Sequence, residues 1–179
     1  MTYPLQSLID NMLALVDEKP ERELTQSRDV VSFGSFSYTA SVKAMELMSH
    51  IIEDAVIDSP GEIDLLVSFQ KMSRVKNQLA RYTRVAQSAR RLVLAGEIDW
   101  QVPAWPRVEV IDTVDDPMID YWFVVAEGGG VHMALLALEV VGMAGQRSYR
   151  GFFTLDRAIA RKVAATIRDL LAEKRAVLA

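Results

Sequence analysis

One carboxylate stands in an unusual place in this sequence, near the end of an apolar run. Glu139 lies in HMALLALEVVG, residues 132–142, where every residue after His132 except Glu139 is apolar or glycine. An unpaired carboxylate buried among such residues is strongly destabilising, or its pKa shifts until it is neutral. Glu139 therefore needs an arginine, a hydroxyl or a ligand as a partner, or a place on a solvated edge. Arg147 and Arg150, on the next predicted strand, are candidate partners.

A second group of carboxylates lies in DTVDDP, residues 112–117. Asp112, Asp115 and Asp116 follow a β-like run, and several carboxylates on one loop are a ligand set that magnesium uses. Asp-rich turns also form for local reasons, because an Asp side chain accepts hydrogen bonds from its own loop. The loop interpretation is favoured, and a small metal-assisted enzyme that uses these three residues remains an alternative.

Two segments raise the question of phosphate binding. Gly128–Gly130 separate two β-like runs and predict a hairpin turn, because a phosphate loop leads into a helix instead. The segment FGSFSYTAS, residues 33–41, does precede a helix and is the better candidate for a ligand loop. It lacks both common phosphate-binding fingerprints. Nucleotide binding of the common kinds is therefore not expected.

A basic run occupies residues 71–91, KMSRVKNQLARYTRVAQSARR, and contains no acidic residue. A solvated helix face is the ordinary interpretation of such a run. The functional alternative is an electropositive surface for an anionic ligand or for the acidic face of a partner protein. The residues alone leave both interpretations open.

Composition excludes several classes of protein. The chain of 179 residues has no cysteine, which excludes disulfides, thiolate zinc sites and a cysteine nucleophile. A net charge of -4 and a pI near 5.2 argue against nucleic acid as a direct partner. His50 and His132 lack the spacing of a metal site and are interpreted as structural, the second as a histidine with satisfied hydrogen bonds. The acidic first 20 residues do not form a signal peptide, and no apolar run is long enough to span a bilayer. We expect one cytoplasmic domain over residues 1–179, with no membrane partner.

Helical and β-like segments alternate through the first half of the chain, as hydrophobic periodicity and β-branched runs indicate. The predicted elements are a helix over 5–16, a strand over 30–38, a helix from Thr39 or Ser41, a strand over 63–69, a helix over 73–89 and a strand over 92–95 that ends at a turn with Gly96. This alternation is typical of βαβ units and of a mostly parallel sheet.

The second half of the chain changes character. β-Like runs over 108–112, 121–142 and 149–156 predict an antiparallel end of the sheet, and Asp156 caps a final helix. The predicted fold is an α/β three-layer sandwich with a mixed, partly parallel central sheet and an antiparallel C-terminal hairpin. The first and last helices carry apolar stripes that need a partner surface, so we expect a homodimer or a signalling-protein partner there.

The order of several motifs resembles one known family. The motifs are SFQ at 68–70, YTRVAQSARRLVLAGEIDWQVPAWPRVEVID at 82–112, YWFVVAEGGGVHMALLALEV at 121–140 and RGFFTLD at 150–156. In this order they resemble the DICT family, a sensory domain of diguanylate cyclases and two-component proteins, over most of residues 3–175. No single motif is diagnostic, but their order is.

The resemblance implies a non-catalytic sensory input domain that binds a small ligand or a partner. Such a module controls a kinase, a cyclic-dinucleotide enzyme or a transcriptional output, and the family is associated with light responses. The resemblance carries over no catalytic residue, metal ligand or identified cofactor. The family-matching polar and aromatic positions are the candidate ligand contacts: Phe69, Gln70, Tyr82, Trp100, Trp122, Glu139, Phe153 and Thr154.

Two hypotheses compete for the role of the domain. A ligand sensor predicts a pocket of aromatic and polar side chains, and Glu139 would then point into it beside Gln70 and Trp122. A ligand-free protein-interaction or dimerisation module predicts a filled interior and a large exposed apolar patch. A pocket of aromatic and polar side chains would favour the sensor over the interaction module.

Overall fold

The chain folds into a seven-stranded sheet between two layers of helices. The structure, a computed structural model, describes residues 1–178. The helices are α1 Pro4–Leu15, α2 Ser27–Phe33, α3 Val42–Ile57, α4 Leu79–Ser88 and α5 Arg157–Leu178. The strands are β1 Ser35–Ser41, β2 Asp64–Lys71, β3 Arg91–Glu97, β4 Val108–Asp112, β5 Tyr121–Gly128, β6 Val131–Val141 and β7 Arg147–Thr154. The three-layer α/β prediction is confirmed.

The sheet is mixed, with strand order β1-β7-β6-β5-β2-β3-β4. Within the described residues, β2 pairs in parallel with β3, and β3 with β4, while the other four strand pairs are antiparallel. The expectation of a mostly parallel first half is wrong at β1, because β1 crosses to the far edge and pairs with β7 rather than β2. The antiparallel hairpin β5–β6 is confirmed, with Gly128–Gly130 at positive φ in its turn.

Three local predictions need correction. Val30 and Val31 lie in helix α2 rather than in a strand, because Val30 is fully buried on the helix and Gly34, at φ 72, ends it. The predicted helix 73–89 is divided into the 3₁₀ segment Met72–Gln78 and α4. Gly96 lies inside β3 rather than in a turn, where a Cβ would come within 2.7 Å of Met72 Cε.

The two helical layers bury separate cores on opposite faces of the sheet. α3 and α4 pack on one face, over Leu65, Val67 and Val124, and α1 and α5 pack on the other. The apolar stripes of α1 and α5 are buried there, as Leu5 and Ile167 show with no exposed surface. The sheet itself covers these stripes. The apolar stripes of α1 and α5 therefore do not require a second protein to cover them. The cavity described below lies on the opposite face of the sheet.

Candidate functional site

A cavity of about 270 Å³ opens between helix α3, the end of β2 and the 3₁₀ segment Met72–Gln78. Four of the eight candidate ligand contacts line it: Phe69, Gln70, Tyr82 and Trp122. Their rings are held by the core around them. The Phe69 and Tyr82 rings meet edge to face at 4.8 Å between centroids, and the Trp122 and Tyr149 rings do so at 5.1 Å.

A bulge in β2 turns Gln70 toward this cavity. The register of β2 against β3 shifts between Ser68 and Gln70, so that Phe69 is the extra residue. The Ser68 hydroxyl fixes the neighbouring strand, because it donates to Tyr121 O and accepts from Phe123 N, both at 2.8 Å. Gln70 itself adopts φ 59, a left-handed conformation that is strained for a residue other than glycine. Backbone strain of this kind is concentrated at functional sites.

Gln70 is the centre of a polar cluster, which we define as Gln70, Arg74, Glu139, Arg147 and Tyr149. Gln70 Nε2 donates to Glu139 Oε2 at 2.8 Å, and Arg147 Nε donates to Glu139 Oε1 at 3.1 Å. Gln70 Oε1 accepts from Arg147 Nη2 at 2.8 Å, from the Tyr149 hydroxyl at 3.2 Å and from Arg74 Nη1. Glu139 thus pairs with an arginine and an amide that line the cavity, although Glu139 itself does not line it. The Glu139 side chain is about one third exposed.

The two arginines of the polar cluster repel each other. Burial, together with the charge of Arg147, lowers the pKa of Arg74 from its ordinary value. Burial also raises the pKa of Tyr149, so its phenol stays protonated and donates to Gln70 at neutral pH. Both guanidinium groups line the cavity. This end of the cavity is therefore electropositive.

The α3 wall of the cavity holds a second set of paired charges, in which Arg81 contacts both Glu53 and Asp54. Glu53 is 2 % exposed and accepts from the Tyr82 hydroxyl at 2.6 Å and from Arg81 Nε. Arg81 also donates to His50 O at 2.9 Å and to Asp54 at 2.7 Å. Burial, and after it the charge of Glu53, raises the pKa of Tyr82 well above its ordinary value. The result is a sealed ion pair that fixes the wall.

Hydrogen bonds outside the cavity fix the position of the 3₁₀ segment Met72–Gln78. Asp99, in the loop after β3, accepts from the Ser73 backbone N at 2.8 Å and from the Ser73 hydroxyl at 2.6 Å. These hydrogen bonds lower the pKa of the Asp99 carboxyl. On the inner side, His50 Nε2 lies 3.0 Å from Gln78 Oε1 and links the segment to α3. Arg74, between these two anchors, is thereby held over the cavity.

The remaining candidate contacts lie elsewhere. Trp100 packs beyond the 3₁₀ segment, with Lys76 Nζ 5.2 Å from its ring centroid. Phe153 is a fully buried core residue that stacks on Phe36. The Thr154 hydroxyl lies 2.7 Å from that of Ser35. The structure thus brings together Phe69, Gln70, Tyr82, Trp122 and Glu139.

Two aspartates of the 112–117 loop accept hydrogen bonds from their own loop, and Asp116 Oδ1 also accepts from the Tyr3 hydroxyl at 3.1 Å. Asp112 Oδ1 accepts from Val114 N at 3.0 Å, and Asp116 Oδ1 accepts from Met118 N at 2.8 Å. No group of three His, Asp or Glu side chains within residues 1–178 is arranged to hold a metal ion. His132 is not the satisfied histidine that the sequence suggests, since its buried Nδ1 has no hydrogen-bond partner in the described part of the chain.

Four residues in or beside the cavity were not predicted from the sequence as site residues. The sequence pattern places Arg74 only within a basic run, and it does not mark Glu53, His50 or Tyr149 as site residues. The available signal was the basic run itself, because its electropositive interpretation applies to Arg74. The contacts of Glu53 join residues 29 positions apart, which no local pattern reveals.

A second cleft, of about 290 Å³, lies on the opposite face between α5 and the strands β2 and β3. Its arginines are already paired, since Arg168 contacts Asp64 and Arg175 donates to Glu109 at 2.6 and 2.8 Å. None of its lining residues within the described part of the chain is aromatic. The first cavity is therefore the better candidate for a ligand site.

Comparison with known proteins decides the family. Residues 23–140 match the DICT family, described as a sensory domain in diguanylate cyclases and two-component systems. The chain belongs to the DICT family. No curated protein and no solved structure matches the sequence.

The family match assigns this DICT domain a sensory input role. It covers a shorter range than the resemblance over residues 3–175, so α1, β7 and α5 lie outside it. Within the polar cluster of the DICT domain, Gln70, Arg74 and Glu139 fall inside the matched residues, and Arg147 and Tyr149 on β7 fall outside. No helix among residues 1–178 is long and apolar enough to cross a membrane.

Proposed function

We propose that this DICT domain is a non-catalytic sensor that binds a small molecule in the cavity beneath α3. The observation that carries the proposal is the meeting of aromatic side chains and a polar cluster at one concave site. Ligand pockets are typically lined by apolar and aromatic groups with a few fixed polar ones. Binding there signals by favouring one conformation of the domain over another.

The proposed output is a kinase, a cyclic-dinucleotide enzyme or a transcriptional regulator. The proposed route for the signal is β5. Trp122 lines the cavity, while Phe123, its neighbour, packs under α5 on the other face. A ligand that moves Trp122 would displace β5 against α5. A ligand-free interaction module predicts a filled interior and one large exposed apolar patch. The domain instead contains a cavity, and its exposed large apolar residues come from separate elements. This alternative therefore finds less support.

Native mass spectrometry of protein purified from its own host tests the proposal. We expect a small mass that is lost on denaturation. Val42 lines the cavity, so Val42→Phe should abolish the bound mass. Lys43→Phe adds the same ring at an exposed neighbouring position and should keep it.

Two results would overturn the proposal. If wild-type protein carries no bound mass, the domain is better explained as a ligand-free interaction module. If Val42→Phe keeps the mass as fully as Lys43→Phe does, the ligand binds outside this cavity.

A further inference from the structure

The polar cluster has more positive than negative charge. Arg74 and Arg147 each contribute one positive charge, and Glu139 contributes one negative charge, so the cluster carries a net charge of +1. Glu139 is paired with Arg147, whereas Arg74 forms no ion pair with any side chain that the structure describes. Arg74 therefore has its charge available to a group in the cavity that it lines.

The cluster is also short of hydrogen-bond acceptors. Gln70 Oε1 receives three donors, from Arg74, Arg147 and Tyr149, although an amide oxygen has two lone pairs. A guanidinium group has five N–H donors. The two here face only the amide oxygen of Gln70, the Glu139 carboxylate and the Tyr149 hydroxyl, which accepts from Arg147 Nη2. A ligand that brings further oxygen acceptors would relieve this shortage.

The opposite wall limits how much negative charge a ligand can carry. Glu46 and Glu53 on α3 line the same cavity, and Glu53 is already paired with Arg81. A second anionic group that reached toward α3 would meet these carboxylates. Between the two ends the walls are apolar, with Val67 and Val124 from the sheet and the Trp122 ring beside them.

We infer that the cavity takes a small molecule with one carboxylate group and an apolar or aromatic body. The carboxylate lies between Arg74 and Arg147, and the body lies against Phe69 and Trp122. A ligand with a single negative charge neutralises the net charge of +1 on the polar cluster. A dianionic phosphate ester would leave an excess negative charge there. The inference rests on the proposed function, because it names the class of ligand for the same cavity. Partial burial lowers the pKa of Arg74 and strengthens its charge-assisted hydrogen bonds to an oxyanion.

An NMR titration of ligand-stripped protein with three matched probes tests the ligand class. The probes are phenylacetate, its neutral isostere phenylacetamide, and phenyl phosphate at a pH where it is a dianion. The readout is the indole N–H of Trp122, which donates to Ser49 Oγ at 3.0 Å inside the cavity. Trp100 and Trp105, which do not line the cavity, serve as internal references. We expect a saturable Trp122 shift with phenylacetate, at an affinity at least about tenfold above that of either other probe.

Charge variants identify the groups that bind the probe. Arg74→Met and Arg147→Met should each weaken phenylacetate binding by about tenfold or more. Arg84→Met, at an exposed position on α4, should leave it unchanged. Glu139→Gln raises the net charge of the cluster to +2 and should strengthen binding. Retained signal dispersion in each variant shows that it is folded.

The outcomes separate this inference from the proposed function. Equal binding of phenylacetamide, or tighter binding of phenyl phosphate, overturns the carboxylate class while leaving the cavity a ligand site. A Trp122 signal unmoved by all three probes also overturns it, and the native mass spectrum then decides the proposed function separately. Phenylacetate binding that survives both arginine substitutions would place the charge recognition elsewhere.

Discussion

Glu53→Ala is expected to destabilise the domain by about 1 to 3 kcal/mol, the cost of leaving a buried hydrogen-bond donor without its acceptor. The Glu53 side chain is 2 % exposed and accepts hydrogen bonds from Tyr82 and Arg81. Its removal leaves the Tyr82 hydroxyl, on a fully buried side chain, without its acceptor. The free energy of unfolding from urea titration at pH 7 measures the effect.

Asp54→Ala is the matched control, because Asp54 contacts the same arginine from a side chain that is 60 % exposed. Its removal should change the free energy of unfolding by less than about 1 kcal/mol. Glu53→Gln keeps one acceptor oxygen and should fall between the two. A loss for Glu53→Ala no larger than that for Asp54→Ala would show that water reaches this pair, and that the cavity wall is not sealed.

Gly151→Ala is expected to destabilise the domain by about 3 kcal/mol, at the upper end of the range for overpacking. Gly151 lies in β7 between Tyr38 of β1 and Ala137 of β6. An added Cβ would stand 2.0 Å from Leu136 O and 2.5 Å from Ala137 Cα. Backbone atoms cannot rotate away, so the strands themselves must separate. Thermal and urea unfolding of the variant measure the loss.

Arg150→Ala provides the control on the same strand, because Arg150 is the exposed neighbour of Gly151. Its effect should stay within about 0.5 kcal/mol, as for ordinary surface substitutions. A Gly151→Ala variant as stable as Arg150→Ala would mean that β6 and β7 do not approach as closely as described.

Periodicity and turn residues predicted the layers of this fold but not the neighbours of each strand. The hairpin at Gly128–Gly130 and the final helix follow from local signals, and Asp156 caps that helix through a 3.0 Å hydrogen bond from Ile159 N. The pairing of β1 with β7 joins residues 119 positions apart, as between Ser35 and Thr154. Local sequence carries no record of such a pairing, and the assumption that consecutive strands are neighbours led to the wrong partner.

The residues of the candidate site were also predictable from the sequence only in part. An isolated carboxylate in an apolar strand predicted that Glu139 needs a partner, and Arg147 is that partner, with Gln70 beside it. The bulge that turns Gln70 inward was not visible, because nothing in SFQ requires a left-handed residue. Glu53 was also missed. A glutamate in a helix ordinarily faces solvent, and only the tertiary contact with Tyr82 accounts for its burial.

Hydrogen exchange shows whether a small molecule occupies the cavity beneath α3. Protein purified with its bound molecule is compared with the same protein after stripping and refolding. We predict slower exchange of the bound form in the 3₁₀ segment Met72–Gln78 and in the first turns of α3, and a smaller change along α5, which does not line the cavity. Identical exchange in the two forms, or protection confined to α5, would contradict the account.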